Sequence, residues 1–429
     1  MSDLSDRFRI HEDSLTGETV YYTTHPTGVK IAICPKPDFK TAYATFGAKY
    51  GSIDNDFSVD GGAFTRVPDG IAHYLEHKLF ENEDCGAFER YAKTGACANA
   101  YTSYDKTCYL FSCTRHFEQA FKILLDFVQK PYFTSENVQK EQGIIAQEIK
   151  MYQDSPGWKV FSNLMKAMYR DHPVKTDIAG TLDSISQITP ELLYRCYETF
   201  YNPGNMALAV AGNADPQRVL EMCDRLLVPK KKAEIVSRCP EDDGRIIQPF
   251  IEDVFDVPLP LFQLGFKERA RRLDERERIL HGLCMSAVFG PVSDFYDRMM
   301  QKKLINPGFS CDALYMRGAL ATLFQGMSRS PEALRDEIFE ETERVKRDGI
   351  SPRLFECVRR STYGGMITLF NSAEDIADYL SDDLLFDTDT FAAARAASDV
   401  TAEEASEVFR RQFDISNCSL SVVRRSKEA

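Results

Sequence analysis

Apolar positions fall into two rhythms along the first half of this chain, and the rhythms alternate. Residues 19–22, 29–34 and 42–46 are short runs rich in β-branched, aromatic and small apolar residues and read as strands. Ile71, Leu75 and Leu79 recur every four residues and predict a helix with one apolar stripe. A short helix near 88–93, a hairpin over 98–113 and a helix over about 117–129 follow. Next comes a long helical pattern from 135 to 153, with Val138, Ile144, Ile145, Ile149 and Tyr152 as its apolar positions. Ser155-Pro156-Gly157 interrupts it, and more helix runs from the sole tryptophan, Trp158, to about 169. A helix over 190–200 then leads into a strand over 206–210.

The pattern lapses over residues 230–249. This stretch holds Lys230-Lys231-Lys232 and Pro240-Glu241-Asp242-Asp243-Gly244 and lacks periodicity, so it reads as a linker between domains at 1–229 and 250–429. The two halves share a faint repeat. Thr189-x-Glu191 matches Thr401-x-Glu403 at an offset of 212. At that offset Tyr197 meets Phe409, Tyr201 meets Phe413, Asn205 meets Asn417, Leu208 meets Leu420 and Val210 meets Val422. A helix-to-strand unit therefore closes each half, and the chain reads as two copies of one α/β domain.

The chemistry concentrates in His73-Tyr74-Leu75-Glu76-His77. Positions i and i+4 of a helix lie one above the other, with i+3 beside them. His73 and His77 can thus hold one metal ion while Glu76 points to the same spot, on a face offset from the Ile71-Leu75-Leu79 stripe. Two neutral imidazoles and a carboxylate, with a position left for water, suit a catalytic zinc site. The order H-x-x-E-H is the inverse of H-E-x-x-H and is itself a metallopeptidase signature. Pro68 and Gly70 punctuate the start of this helix, with Asp69 as its expected N-cap. A third protein ligand is needed. Glu141 and Glu148 are seven residues apart and project on one face of the long helix, so one can bind metal while the other orients a histidine.

The stretch from His73 to Glu148 resembles the pitrilysin, insulinase and mitochondrial processing peptidase family of inverted-motif zinc metallopeptidases. The resemblance implies an α+β fold of two homologous domains, each a mostly antiparallel sheet packed with helices. It implies His73 and His77 as zinc ligands, Glu76 as general base, Glu148 as the distal ligand 71 residues beyond His77 (148 − 77), and Glu141 as a supporting residue. Residues 95–103 resemble the family's edge strand, with 107–112 as its hairpin partner. Such an edge takes up substrate by strand addition, which implicates Asn99, Ala100, Tyr101, Thr102 and Ser103 in substrate binding. Pro68 to His73 together with Lys78-Leu79-Phe80-Glu81 look most like a bacterial half-length subgroup, some members of which are associated with modification of elongation factor P.

One family feature is missing. Active members carry an Arg and a Tyr, seven residues apart, on the domain without metal. Those positions fall here on Met299 and Asn306, and the neighbouring Arg298 would point about 100° away on a helix. The second half also lacks a metal motif. The resemblance therefore implies a zinc endopeptidase, with a single ion per chain, that cleaves short or unfolded peptides in an enclosed chamber. The absent pair would come from a homologous subunit without the motif, in a heterodimer, or the chain would pair with itself. The alternatives are a catalytically weak peptide-binding or assembly subunit, or a zinc hydrolase with a non-peptide substrate.

Composition narrows the rest. At 429 residues, 43% of them hydrophobic, the chain has the material for more than one core. A net charge of −13 disfavours nucleic acid, which needs a basic footprint. No run of about 18 apolar residues predicts a membrane span. The first residues lack a basic segment leading into an apolar run, so no signal peptide is expected. The 12 cysteines form no C-x-x-C, and reduced side chains in a cytoplasmic protein are expected. Phosphate-cradling glycine loops and a nucleophile elbow are absent.

Overall fold

Strands buried on both faces read as continuous apolar runs. Ala42–Ala48 and Met206–Gly212 are buried at every position and pair antiparallel, Ala42 opposite Gly212 and Ala48 opposite Met206. Around such strands a computed structural model describes residues 7–240 and 242–426. They form two compact units. The first takes the chain up to Gln147, then Ile178–Arg238 and Met366–Phe391. The second takes Glu148–Asp177, Cys239–Gly365 and the chain from Ala392 onward.

The strands of the first unit are β1 (Arg9–Glu12), β2 (Thr19–Thr24), β3 (Lys30–Pro35), β4 (Ala42–Ala48), β5 (Asp56–Val59), β6 (Thr65–Arg66), β7 (Cys97–Thr102), β8 (Thr107–Cys113), β9 (Met206–Gly212) and β10 (Ile235–Ser237). One sheet has the order β1-β2-β3-β9-β4-β8-β7, and a small second sheet the order β10-β5-β6. In the second unit β11 (Phe250–Val254), β12 (Leu261–Glu268), β13 (Ser310–Met316), β14 (Ala319–Met327) and β15 (Cys418–Arg424) form one sheet in the order β11-β15-β12-β14-β13.

The duplication is visible in this topology. The order β3-β9-β4-β8-β7 repeats as β11-β15-β12-β14-β13. In each copy the first pair is parallel and the other three are antiparallel. The offset of 212 holds at element boundaries, because Pro190–Phe200 becomes Ala402–Gln412 (190 + 212, 200 + 212) and β9 becomes β15. Thr189 and Thr401 cap the two helices, accepting from the amides of Leu192 and Glu404. The fold is α+β, two homologous units each with a mostly antiparallel sheet covered by helices.

The units are not the contiguous stretches 1–229 and 250–429 that were expected. Helix Ala373–Phe386, from the second half of the sequence, covers one face of the first sheet. There Ala373, Ile376, Ala377 and Leu380 pack against Ala32, Cys34, Tyr43, Ala209 and Ala211. Reciprocally, helix Pro156–Met168 packs against β11, β12 and β15 of the second sheet. One boundary does fall within 230–249, at Arg238 and Cys239. That segment is not a bare linker, however, since β10 pairs with β5, Ile235 opposite Val59. Three residues are too few to display alternation.

On the opposite face of the first sheet lie helix Phe117–Val128 and the motif helix Ile71–Leu79. Ile71, Leu75 and Leu79 are fully buried. Phe80, just past the end, stacks on Phe88 and Phe127 at 4.3 and 5.1 Å. The N-cap is Gly70 and not Asp69. Gly70 has φ of 90°, and the Asp69 carboxylate is occupied by Asn55 Nδ2 and Arg66 Nη2, both at 2.8 Å. A Cβ on Gly70 would lie 2.4 Å from the carbonyl oxygen of Ala179. Gly70→Ala is therefore expected to destabilise the protein by at least about 2 kcal/mol, read as a lower midpoint in urea unfolding. An unchanged midpoint would show that this approach does not fix the start of the helix.

Candidate metal centre

The rings of His73 and His77, one turn apart on the motif helix, have centroids 4.5 Å apart. The side chain of Glu148 joins them, so that one ligand atom from each residue lies within 4.8 Å of the other two. Among the described residues this is the one group of three or more His, Cys, Asp or Glu side chains with that spacing. Glu148 arrives on the uninterrupted helix Ser135–Gln153. This helix is tied to the motif helix where Tyr74 Oη donates to the carbonyl of Val138.

The donor chemistry fits a divalent metal such as zinc. Burial, aided by His77, pushes His73 down to about 3, so its imidazole is neutral and keeps a lone pair at neutral pH. The second histidine is oriented by Glu141. Burial alone would raise the Glu141 carboxyl, but the hydrogen bond with His77 and the charge of Lys78 hold it below its ordinary value. An ionised carboxylate only accepts, so His77 Nδ1 donates to Glu141 Oε1 (3.0 Å) and Nε2 is left with the lone pair a metal needs. Lys78, wholly buried, lies 2.6 Å from Glu81 and 3.7 Å from Glu141.

Glu76 is buried beside the histidines, and its Oε2 accepts from Thr102 Oγ1 at 2.9 Å. Glu148 is held from behind, its Oε1 accepting from Tyr152 Oη at 3.0 Å. Tyr152 in turn stacks on Trp158 at 4.9 Å, whose indole N–H donates to Asp177. Neither the hydroxyl of Thr102 nor that of Tyr152 stands out in the sequence as a partner of these carboxylates. For Tyr152 a signal exists, because it follows Glu148 by one helical turn. For Thr102 there is none, because its partner is 26 residues away.

The five residues expected at the edge strand divide. Among the described residues β7 is the last strand of its sheet, paired only with β8. Asn99, Ala100, Tyr101 and Thr102 lie in it. Asn99 Oδ1 accepts from the amide of Ala100 at 2.9 Å. Tyr101 is half-buried, with Lys106 Nζ 5.4 Å from its ring centre. Ser103 lies beyond the strand in the turn, where its amide donates to Lys106 O (2.8 Å) and its carbonyl accepts from Ser52 N (3.1 Å). In the second unit, Met299 is fully buried and Asn306 Oδ1 accepts from the amide of Gly308 (2.9 Å). Arg298 is paired with Glu341 at 2.7 Å.

Comparison with known proteins gives the family and the fold. Residues 57–182 match "Insulinase (Peptidase family M16)" and residues 187–362 match "Peptidase M16 inactive domain". The chain is 36% identical over 406 residues to the "Uncharacterized zinc protease YmfH" of Bacillus subtilis (strain 168), covering 92% of this chain and 94% of that one. The chain belongs to the insulinase (M16) peptidase family. A crystal structure of an M16-like peptidase from Alicyclobacillus acidocaldarius superposes with a TM-score of 0.92 at 32% identity, over 98% of this chain and 99% of that one. Pitrilysin shares the fold with a TM-score of 0.74 at 15% identity, over 97% of this chain but 46% of its own.

Within the M16 frame one difference between the two units bears on the metal site. The counterpart of the motif helix, placed between β12 and β13 as the motif helix is between β4 and β7, is Glu275–Phe289. It carries a single histidine, His281, and buries Leu280, Leu283, Cys284, Ala287 and Val288. Glu141→Gln is expected to lower zinc affinity by about 10–100-fold without unfolding the chain, measured by competition with a chelator. Wild-type affinity in this variant would remove Glu141 from any role in orienting His77.

Proposed function

We propose that this chain is a zinc metalloendopeptidase that hydrolyses short or unfolded peptides, with His73, His77 and Glu148 as ligands of a single zinc ion and Glu76 as general base. The observation that carries the reading is the convergence of three ligand atoms within 4.8 Å, with Glu76 on the same turn as the histidines. Zinc bound there supplies Lewis acidity, polarising a scissile carbonyl and lowering the pKa of water toward 7. Glu76 takes the proton of the attacking water and passes it to the leaving amine. The Thr102 hydroxyl fixes Glu76 Oε2 and so aims the other oxygen. The edge of β7, at Asn99, Ala100 and Tyr101, aligns the peptide backbone by strand addition, so orientation is lost on binding and not at the chemical step.

The partner in this reading is a homologous subunit without the zinc motif, or a second copy of the chain, forming a closed chamber. The support is that the positions for the missing Arg and Tyr hold a core methionine and an asparagine engaged in a turn. The same observation favours a second reading, a catalytically weak peptide-binding or assembly subunit. A cytoplasmic setting is supported by buried thiols such as Cys34, Cys108 and Cys284, which form no disulfide among the described residues. Among the described residues no helix is long and apolar enough to cross a membrane.

Two substitutions test the site. Glu148→Gln is expected to lose zinc. Glu76→Gln is expected to keep zinc and lose peptide hydrolysis by about 10²–10⁴-fold. Equal zinc retention in both variants, by metal analysis, would remove Glu148 from the ligand set. The isolated chain is expected to cleave peptides poorly and to gain activity when mixed with a motif-less homologue, and high turnover by the chain alone would contradict the need for such a partner.

A further inference from the structure

The second unit contains a cavity of about 520 Å³ that peptide hydrolysis leaves unused. It lies between the end of β12 and the turn leading into β15, and Arg245, Arg269, Arg271 and Arg411 line it. Lys267 also lines it, but its charge is committed elsewhere. Its Nζ lies 2.6 Å from Asp242 Oδ1 and donates to the carbonyls of Met168 and Arg245, each at 2.7 Å. Two acids at the rim accept from backbone amides and keep their charge. Asp243 Oδ1 accepts from the amide of Arg245 (2.9 Å) and Asp414 Oδ1 from the amide of Ser416 (2.9 Å).

The four arginines of the lining thus face three charged carboxylates, Asp243, Asp414 and Glu277, and cations stay in excess. Arg271 and Arg411 share one carboxylate, Glu277, at 2.8 and 3.8 Å. Arg245 and Arg269 make no side-chain ion pair among the described residues. A second cavity of about 670 Å³ in the same unit gives the contrast. There Arg298 and Arg344 bind Glu341 at 2.7 and 2.6 Å and Lys302 binds Glu337 at 2.5 Å, so its cations are matched by acids.

The lining of the first cavity has a further unsatisfied group. The side chain of Glu268, at the end of β12, is only 9% exposed, and its Oε1 has no hydrogen-bond partner among the described residues. His281 Nδ1 lies 3.7 Å away, and neither ring nitrogen is hydrogen-bonded among the described residues. Burial pushes the Glu268 carboxyl up to about 7 and the His281 ring down to about 4. A buried polar group left open in this way calls for a ligand, water or ion to complete it. A metal cation is disfavoured by Arg271 and Arg411 beside it.

We propose that this cavity binds a small multivalent anion, whose phosphate or carboxylate oxygens pair with Arg245, Arg269, Arg271 and Arg411 while Glu268 completes the site with a hydrogen bond. Guanidinium forks match both oxyanions in a bidentate manner, and the volume suits a compact small molecule. The proposal rests on the second unit alone, so its failure leaves the peptidase reading untouched.

Isothermal titration calorimetry of the full chain with tripolyphosphate and, separately, with citrate tests it, at about 0.15 M salt to screen loose surface binding. The expected result is saturable binding of one anion per chain. Arg269→Ala/Arg411→Ala should weaken it by about tenfold or more, and Arg347→Ala in the other cavity should leave it unchanged. Binding of tripolyphosphate alone assigns the site to phosphates, citrate alone to carboxylates, and both to multivalent anions in general. No saturable binding of either probe, or binding insensitive to the double substitution, would overturn the proposal.

Discussion

The hydrogen bond between His77 and Glu141 is the contact on which the site depends. It joins the motif helix to the long helix and fixes the tautomer of one histidine. By pinning this pair of side chains two turns of helix away from Glu148, it also sets where the third carboxylate can arrive. Its surroundings are costly in isolation, since Lys78 is a wholly buried ammonium and Glu141 a buried carboxylate. Each is tolerated because the other, together with Glu81, lies close by. Half-buried ligands thus rest on a buried polar layer of Glu76, Lys78 and Glu141 in which every charge has a named neighbour.

Duplication leaves the histidine pair in one copy of the fold and no counterpart of it in the other. The two sheets share strand order and direction, yet the helix inserted after β4 and the one inserted after β12 have separate tasks. Ile71–Leu79 buries every residue but His73 and His77, which stay half-buried with a ligand atom of each within 4.8 Å of one on Glu148. Glu275–Phe289 buries residues around much of its circumference and contributes them to a core with Phe262, Phe266 and Phe324. Its one histidine, His281, is itself buried, so this helix presents no pair of imidazoles.

Much of the site was legible in the sequence, because its signals are local. His73, Glu76 and His77 are related by helical geometry alone, and Glu141 and Glu148 share a face for the same reason. The repeat at an offset of 212 was legible because capping threonines and buried aromatics recur in register. What could not be read is non-local. The pairing of Thr102 with Glu76 requires the hairpin to lie against the motif helix. Asp69 does not cap the helix because Asn55 and Arg66 take its carboxylate, and position 70 is a glycine where Ala179, more than a hundred residues away, leaves no room for a Cβ. The exchange of helices Pro156–Met168 and Ala373–Phe386 leaves no mark on periodicity, since an apolar stripe is equally satisfied by either sheet.

The most direct measurement is a crystal structure of the zinc-loaded chain, with anomalous scattering recorded at the zinc edge. The account predicts a single strong peak bound by one nitrogen each from His73 and His77 and an oxygen of Glu148, at about 2.0–2.2 Å, with a fourth position open to solvent. An ion bound elsewhere, or held by the histidines with Glu148 turned away, would contradict it.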